Sequence, residues 1–234
     1  MRQIIYVKYN RTRSEKFQLK TAIVRENGAL SVEKTALTEA GAGHMGSFWE
    51  KYQMIREQNP RIRFLEPEFK DGGKTVCFRY LEGETLADAL ADRIHMGQIP
   101  YEELEQVMAL VFPEDFSVDS GHFSIKEQTG GPFAPSQGFT EVFGPVPEGL
   151  EELGRLTAAP NVDGLFENLM ISHGHVYGID YEWVFDMEIP AKFLHYRNLL
   201  YFYRRCEASV SSAQEELFAH FGIGEEEQRL FASM

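Results

Sequence analysis

The chain has 234 residues, enough for one large domain or two packed lobes. With 43% apolar and 13% aromatic residues it has the composition of a folded protein, which excludes wholesale disorder. A formal net charge of −13 excludes a surface built to wrap nucleic acid, but it leaves a small nucleotide open because a few local charges neutralise its phosphates.

In chain order, residues 4–9 and 17–25 are predicted strands flanking the polar turn 10–16, a hairpin. Asn27-Gly28 predicts a second tight turn and residues 29–34 a third antiparallel strand. A Gly/Ala-rich joint over 40–46 then leads into a helix with Ser47 as its N-cap. Phe48, Tyr52 and Ile55 fall at helical spacing, and Pro60 closes the helix. Residues 62–69 and 75–80 predict two more strands, and 85–94 and 101–111 two helices, the second starting after Pro100.

Residues 112–149 are crowded with Pro, Gly and Phe and show little periodicity. They read as a long loop, and position and composition make it the candidate for acceptor or partner contact. Helical character returns over 190–205, 212–221 and 225–234. Cys77 and Cys206 have no zinc-like spacing, the N-terminus has no signal-peptide core, and no run approaches the roughly 20 apolar residues of a membrane span. A soluble cytoplasmic protein is the expectation.

The chemistry concentrates in Asn161-Val-Asp-Gly-Leu-Phe-Glu-Asn168 and the run that follows it. Two apolar segments, 169–171 and 176–179, surround a Ser-His-Gly-His turn and predict a short β-hairpin. Such a hairpin brings Asn168 at its entry close to Asp180 at its exit, with Asp163 a few residues upstream. One short segment then supplies oxygen ligands suited to Mg²⁺ and a further carboxylate able to orient a hydroxyl and take its proton.

Asp163-x4-Asn168 followed by Ile179-Asp-Tyr-Glu-Trp183 resembles the catalytic segment of the choline kinase and aminoglycoside phosphotransferase group of the protein-kinase-like superfamily. Tyr80-Leu-Glu-Gly-Glu-Thr-Leu86 resembles the segment that links the two lobes in that group. The resemblance implies an α+β, bilobal fold with a five-stranded antiparallel N-lobe and a reduced helical C-lobe. Residues 1–82 would form the β-rich, nucleotide-binding lobe, and 83–234 the mainly helical lobe that carries the catalytic hairpin 161–183. It further implies ATP and Mg²⁺ as cofactors and a hydroxyl of a small molecule or glycan as phosphate acceptor. Asp163 would be the catalytic base, and Asn168 and Asp180 the metal ligands. Lys34 would hold phosphate with Glu50 as its acidic partner, and the backbone of Tyr80, Leu81, Glu82 and Gly83 would meet adenine.

Several alternatives stand beside these roles. Lys20 competes with Lys34, and Glu39 competes with Glu50. Arg11, Arg13 and Lys16 either touch phosphates or form a solvated turn, and Glu182 either supports the metal site or continues the strand. His173 and His175 decorate a solvent-facing turn without a third metal ligand, and the Trp183, Phe185, Phe193 and Tyr196 group reads as core. Residues 181–197 also resemble kinase-like domains found beside bacterial enzymes of surface-polysaccharide assembly. That narrower resemblance implies a sugar-type acceptor and a glycosyltransferase partner. The chain departs from the family in having Asn161-Val162 where a histidine usually precedes the catalytic Asp, and a charged turn where a glycine-rich loop usually joins the first strands. Those departures imply the alternative of a pseudokinase, a nucleotide-binding interaction module serving a glycan-assembly enzyme.

Overall fold

In the computed structural model, which describes residues 1–127, 133–150 and 154–234, turn chemistry builds the first sheet. Strands β1 (Arg2–Asn10), β2 (Leu19–Glu26) and β3 (Ala29–Ala36) pair antiparallel in sequence order. Asn27 and Gly28 have φ of +51° and +87°, the left-handed pair that suits a two-residue hairpin to the strand twist. The Gly/Ala-rich joint is itself helical, as α1 (Ala42–Gly46), and α2 (Phe48–Ile55) follows it directly. Ser47 holds the N-cap position of α2, its carbonyl accepting the Lys51 N–H at 3.0 Å, but its hydroxyl caps no N–H there and donates to the His44 carbonyl at 2.8 Å.

The strand expected over 62–69 is two strands in two sheets. β4 (Ile62–Phe64) ends before Pro67, whose nitrogen has no proton for a ladder, and β5 (Glu68–Lys70) begins after it. With β6 (Thr75–Arg79), β5 completes a five-stranded antiparallel sheet of order β1-β2-β3-β6-β5.

The chain continues through β7 (Glu84–Thr85), α3 (Leu86–Ala91) and α4 (Tyr101–Val111). The stretch read as a loop from 112 contains a hairpin, β8 (Phe116–Asp119) and β9 (His122–Ile125), and a helix, α5 (Gln137–Phe143). Its four-residue strands are too short to show alternation, and the helix is announced mainly by Ser136, whose hydroxyl accepts the Phe139 N–H at 3.1 Å. Residues 128–132 of that stretch lie outside the described residues.

After β10 (Leu156–Thr157) come the hairpin strands β11 (Leu169–Ser172) and β12 (His175–Gly178), then β13 (Ile189–Pro190). Helices α6 (Ala191–Cys206), α7 (Gln214–His220) and α8 (Glu225–Ala232) end the chain. A second sheet of order β4-β12-β11-β7 ties the early chain to the late chain, with β12 parallel to β4. Gly83 leads into this sheet so closely that a Cβ there would stand 2.1 Å from the Ile171 carbonyl oxygen.

Two apolar cores result. Beneath the five-stranded sheet, Leu19, Met45, Phe48, Ile55, Val76 and Phe78 pack with Tyr177, Tyr181 and Val184 from the far end of the chain. The larger core gathers Leu104, Met108, Phe116, Phe139, Phe193, Leu199, Phe202 and Phe218 around α6. Among the described residues no helix is long and apolar enough to cross a membrane.

Candidate active site

The β11–β12 hairpin sets the geometry. Leu169 pairs with Gly178, and the Ile179 N–H donates to the Asn168 carbonyl at 3.0 Å, so Asn168 and Asp180 leave the hairpin side by side. Upstream, the Asn168 amide nitrogen donates to the Asp163 carbonyl at 3.0 Å, closing the short turn between the two residues. Downstream, the Trp183 N–H donates to Asp163 Oδ2 at 2.9 Å, and the Val162 N–H donates back to the Trp183 carbonyl at 2.9 Å. Asp163, Asn168 and Asp180 thus share one knot of backbone bonds.

Lys34 reaches this knot from β3. It is buried, and its Nζ lies 2.7 Å from both carboxylate oxygens of Asp180 and 3.4 Å from Glu182 Oε2. Burial works to lower the pKa of its ammonium, but Asp180 and Glu182 outweigh it and the net shift is upward. The competing Lys20 sits on β2 opposite Thr35.

The implied Lys34–Glu50 pair does not form. The inward face of α2 carries Phe48, Lys51 and Ile55, spaced by three and four residues, and this spacing leaves Glu50 exposed to solvent. The other alternative, Glu39, pairs with Lys74 at 2.6 Å.

The acids that face Lys34 are Asp180 and, farther off, Glu182. The buried Glu182 carboxylate accepts from Arg13 Nη1 at 2.5 Å and from His44 Nε2 at 3.0 Å, besides facing Lys34. Burial alone would raise its pKa, but the His44 hydrogen bond and the charges of Lys34 and Arg13 hold it down at about 2. Arg13 also lies over the Trp183 ring, 5.3 Å from its centroid, so the charged first turn is folded onto the site. Lys51 Nζ donates to the Glu182 carbonyl oxygen at 2.6 Å, and burial brings its pKa down to about 8. Between Asp180 and Glu182, Tyr181 points the other way. It is fully buried, with its hydroxyl donating to the Leu65 carbonyl at 2.7 Å.

Sequence reading left Glu182 between two roles and gave Lys51 and His44 none. A signal was present for Lys51, since a lysine stood on the apolar face of α2 between Phe48 and Ile55.

The Asp163 carboxyl is pushed well above the ordinary carboxylate range, by burial first and by the charge of Asp180 second. A carboxylate raised in this way holds a proton more readily than an exposed one. The side-chain amide nitrogen of Asn168 donates to the Asp163 carbonyl, which turns its carbonyl oxygen, like the Asp180 carboxylate a hard oxygen donor of the kind that suits Mg²⁺, away from that bond. Tyr80, Glu82 and Gly83 are exposed at the start of the second sheet, and the Glu82 carbonyl accepts from Ser172 Oγ at 2.7 Å. His173 and His175 are exposed on the hairpin turn. Among the described residues no group of three His, Cys, Asp or Glu side chains is arranged around a common point.

No family model matches this sequence, and no curated protein matches it. Solved structures do resemble it. The choline kinase LicA from Streptococcus pneumoniae superposes with a TM-score of 0.50 at 13% identity, over 98% of this chain and 80% of that one. The macrolide 2'-phosphotransferase MphH from Brachybacterium faecium superposes at 0.44 with 11% identity, over 97% and 82% of the two chains. A streptomycin–ATP complex of APH(2")-IIa superposes at 0.42 with 10% identity, over 97% and 81%.

Proposed function

The chain has the protein-kinase-like fold of the choline kinase type, and from that premise we propose that it is an ATP- and Mg²⁺-dependent phosphotransferase acting on a hydroxyl of a small molecule or glycan. The observation that carries this reading is the convergence of Lys34 from β3 with Asp163, Asn168 and Asp180 from a single turn and hairpin. In the reading, residues 1–82 form the nucleotide-binding lobe and 83–234 the lobe that presents the acceptor. A cytoplasmic location belongs to the same reading. A sugar-type acceptor and a glycosyltransferase partner rest on residues 181–197 alone.

The acceptor hydroxyl docks against Asp163, whose orientation the Trp183 N–H holds. As the hydroxyl oxygen bonds to the γ-phosphorus, its proton passes to the Asp163 carboxylate, and the bond from phosphorus to the β–γ bridging oxygen breaks to release ADP. Mg²⁺, when held by Asp180 and the Asn168 side-chain oxygen, neutralises charge on the phosphates. Lys34 turns from Asp180 to a phosphate oxygen while Glu182 keeps it in place, the role first assigned to Glu50. The backbone of residues 80–83 faces adenine.

The fold of Arg13 onto Glu182 and Trp183 favours a second reading, a pseudokinase in which nucleotide is a structural ligand and the first turn stays closed. Calorimetric titration with ATP, with and without Mg²⁺, tests the main proposal on the native chain and on Asp180→Ala. Metal-dependent binding that the variant loses supports the site. Absence of nucleotide binding under both conditions would overturn it. Binding without ATP turnover above that of Asp163→Asn would leave the second reading.

A further inference from the structure

A cavity of about 450 Å³ lies behind the turn that carries Asp163. Ile55 at the end of α2, Phe64 of β4, Phe112 after α4 and Leu194 of α6 supply much of its wall. None of Lys34, Asp163, Asn168, Asp180 or Glu182 lines it, so phosphoryl transfer as proposed above gives it no use. Packed interiors hold few voids larger than a water molecule, and ligand pockets typically occupy roughly 300–1,000 Å³. The size of this cavity puts it in the second group.

The lining states what chemistry fits. Several of its polar side chains are turned onto the protein itself. The Gln58 amide donates to the Ala158 and Ala159 carbonyls at 3.1 and 3.2 Å, and the Asn59 amide to the Leu110 and Val111 carbonyls at 2.8 and 3.1 Å. Arg155 is forked onto Asp115, with both contacts at 2.6 Å, so the charges at that end cancel. An anionic ligand would lose its water and meet Glu114 and an Arg155 already forked onto Asp115, whereas an apolar one would gain contact with Ile55, Phe64, Phe112 and Leu194. Exposed Gln58, Glu114 and Ala158 stand at the mouth, which gives access from solvent.

One wall is the catalytic segment. Asn161, Gly164 and Leu169 line the cavity, and they flank Asp163 and Asn168 in sequence. Asn161 Oδ1 accepts the Asp163 N–H at 3.2 Å, and the Asn161 carbonyl accepts the Gly164 N–H at 3.0 Å. From the other side, the Asn198 amide of α6 donates to the Gly164 carbonyl at 3.2 Å. The turn that orients Asp163 therefore has the cavity at its back.

We propose that this cavity binds an uncharged, apolar small molecule and that its occupancy is transmitted to the Asp163 turn through Asn161 and Gly164. The binding stands on the cavity alone, and only its consequence for nucleotide affinity rests on the phosphotransferase reading.

Indole is a suitable probe, titrated into the ¹⁵N-labelled full chain while amide signals are followed. Expected are saturable shifts at the amides of Asn161, Gly164 and Leu169. Indole-3-acetate, which adds a carboxylate to the same ring, should bind about tenfold more weakly or worse. Thr157→Trp fills the cavity from β10 and Ala158→Phe from its exposed mouth, so a folding failure of the first leaves the second as the test. Either should abolish the shifts. Unsaturable indole, shifts that bypass those three amides, shifts that survive in a folded filled variant, or equal binding of indole-3-acetate would each overturn the proposal. Saturating indole should also move the affinity for Mg²⁺-ATP about threefold or more. If ATP fails to bind with or without indole, the phosphotransferase reading falls and the amide shifts still decide the cavity.

Discussion

Two buried carboxylates, one in each core, are built from the same parts and meet different neighbours. Glu182 accepts from Arg13 and His44 beneath the five-stranded sheet, and Asp115 accepts from Arg155 and His195 beside α6. Both sit at about 2, because hydrogen bonds and cations overcome the upward push of burial. Both imidazoles are held below their ordinary value, by burial first. The difference lies in what each trio touches next. Glu182 reaches Lys34, and Lys34 reaches Asp180 in the cleft, whereas Asp115 ties the loop after α4 to segment 155 and to α6. A buried ion cluster is thus no evidence of catalysis in itself, and its neighbours decide its use.

Four substitutions sharpen that contrast. The largest effect is expected from Asp163→Asn, which should lower phosphate transfer by about 10²–10⁴-fold, as loss of a general base does, while calorimetric ATP affinity stays unchanged. Retention of transfer by this variant would remove Asp163 from the chemistry.

Glu182→Gln leaves Arg13 and Lys34 without their shared buried charge. It should cost about 3 kcal/mol in urea denaturation at pH 7 and weaken Mg²⁺-ATP binding roughly tenfold. Its pH dependence has a definite sign. The folded pKa is depressed to about 2, so the stabilisation is fully present above the ordinary carboxylate value near 4.5 and is lost as pH falls through about 2. The stability gap between native chain and variant should close across that window.

Asp115→Asn should cost about 3 kcal/mol by the same logic, with stabilisation fully present above the ordinary value near 3.8 and lost as pH falls through about 2, and leave ATP affinity unaltered. A tenfold loss of ATP binding in this variant would erase the distinction between the two clusters. The smallest effect belongs to Glu50→Gln. As an exposed helix position it should change stability by less than about 0.5 kcal/mol and leave ATP affinity as it was, read by the same two assays.

Legibility followed sequence distance. Asp163, Asn168 and Asp180 lie within one turn and one hairpin, and a hairpin's register follows from its apolar runs and its turn, so their meeting was readable from residues 163–180. The first three strands of the sheet were readable for a related reason, since Asn27-Gly28 and alternating runs specify neighbours in sequence, whereas the five-stranded total came with the resemblance. Lys34 with Glu50 was not readable, because it required the rotation of α2 about its own axis, and the apolar face of that helix turned Lys51 inward and Glu50 outward. The split of 62–69 between two sheets depended on β12, more than 100 residues later. Within 112–149, short strands left β8 and β9 without a periodic signal.

The sequence by itself determined the local machinery: the hairpin that presents Asp180, the turn that holds Asp163, and the run of the first three strands. Only the tertiary structure decided which acid faces Lys34, where Arg13 rests, and that a cavity stands behind Asn161. The physical reason is that backbone pairing and turn geometry are set over a few residues, whereas ion-pair choice depends on which groups burial of the apolar cores carries out of water together.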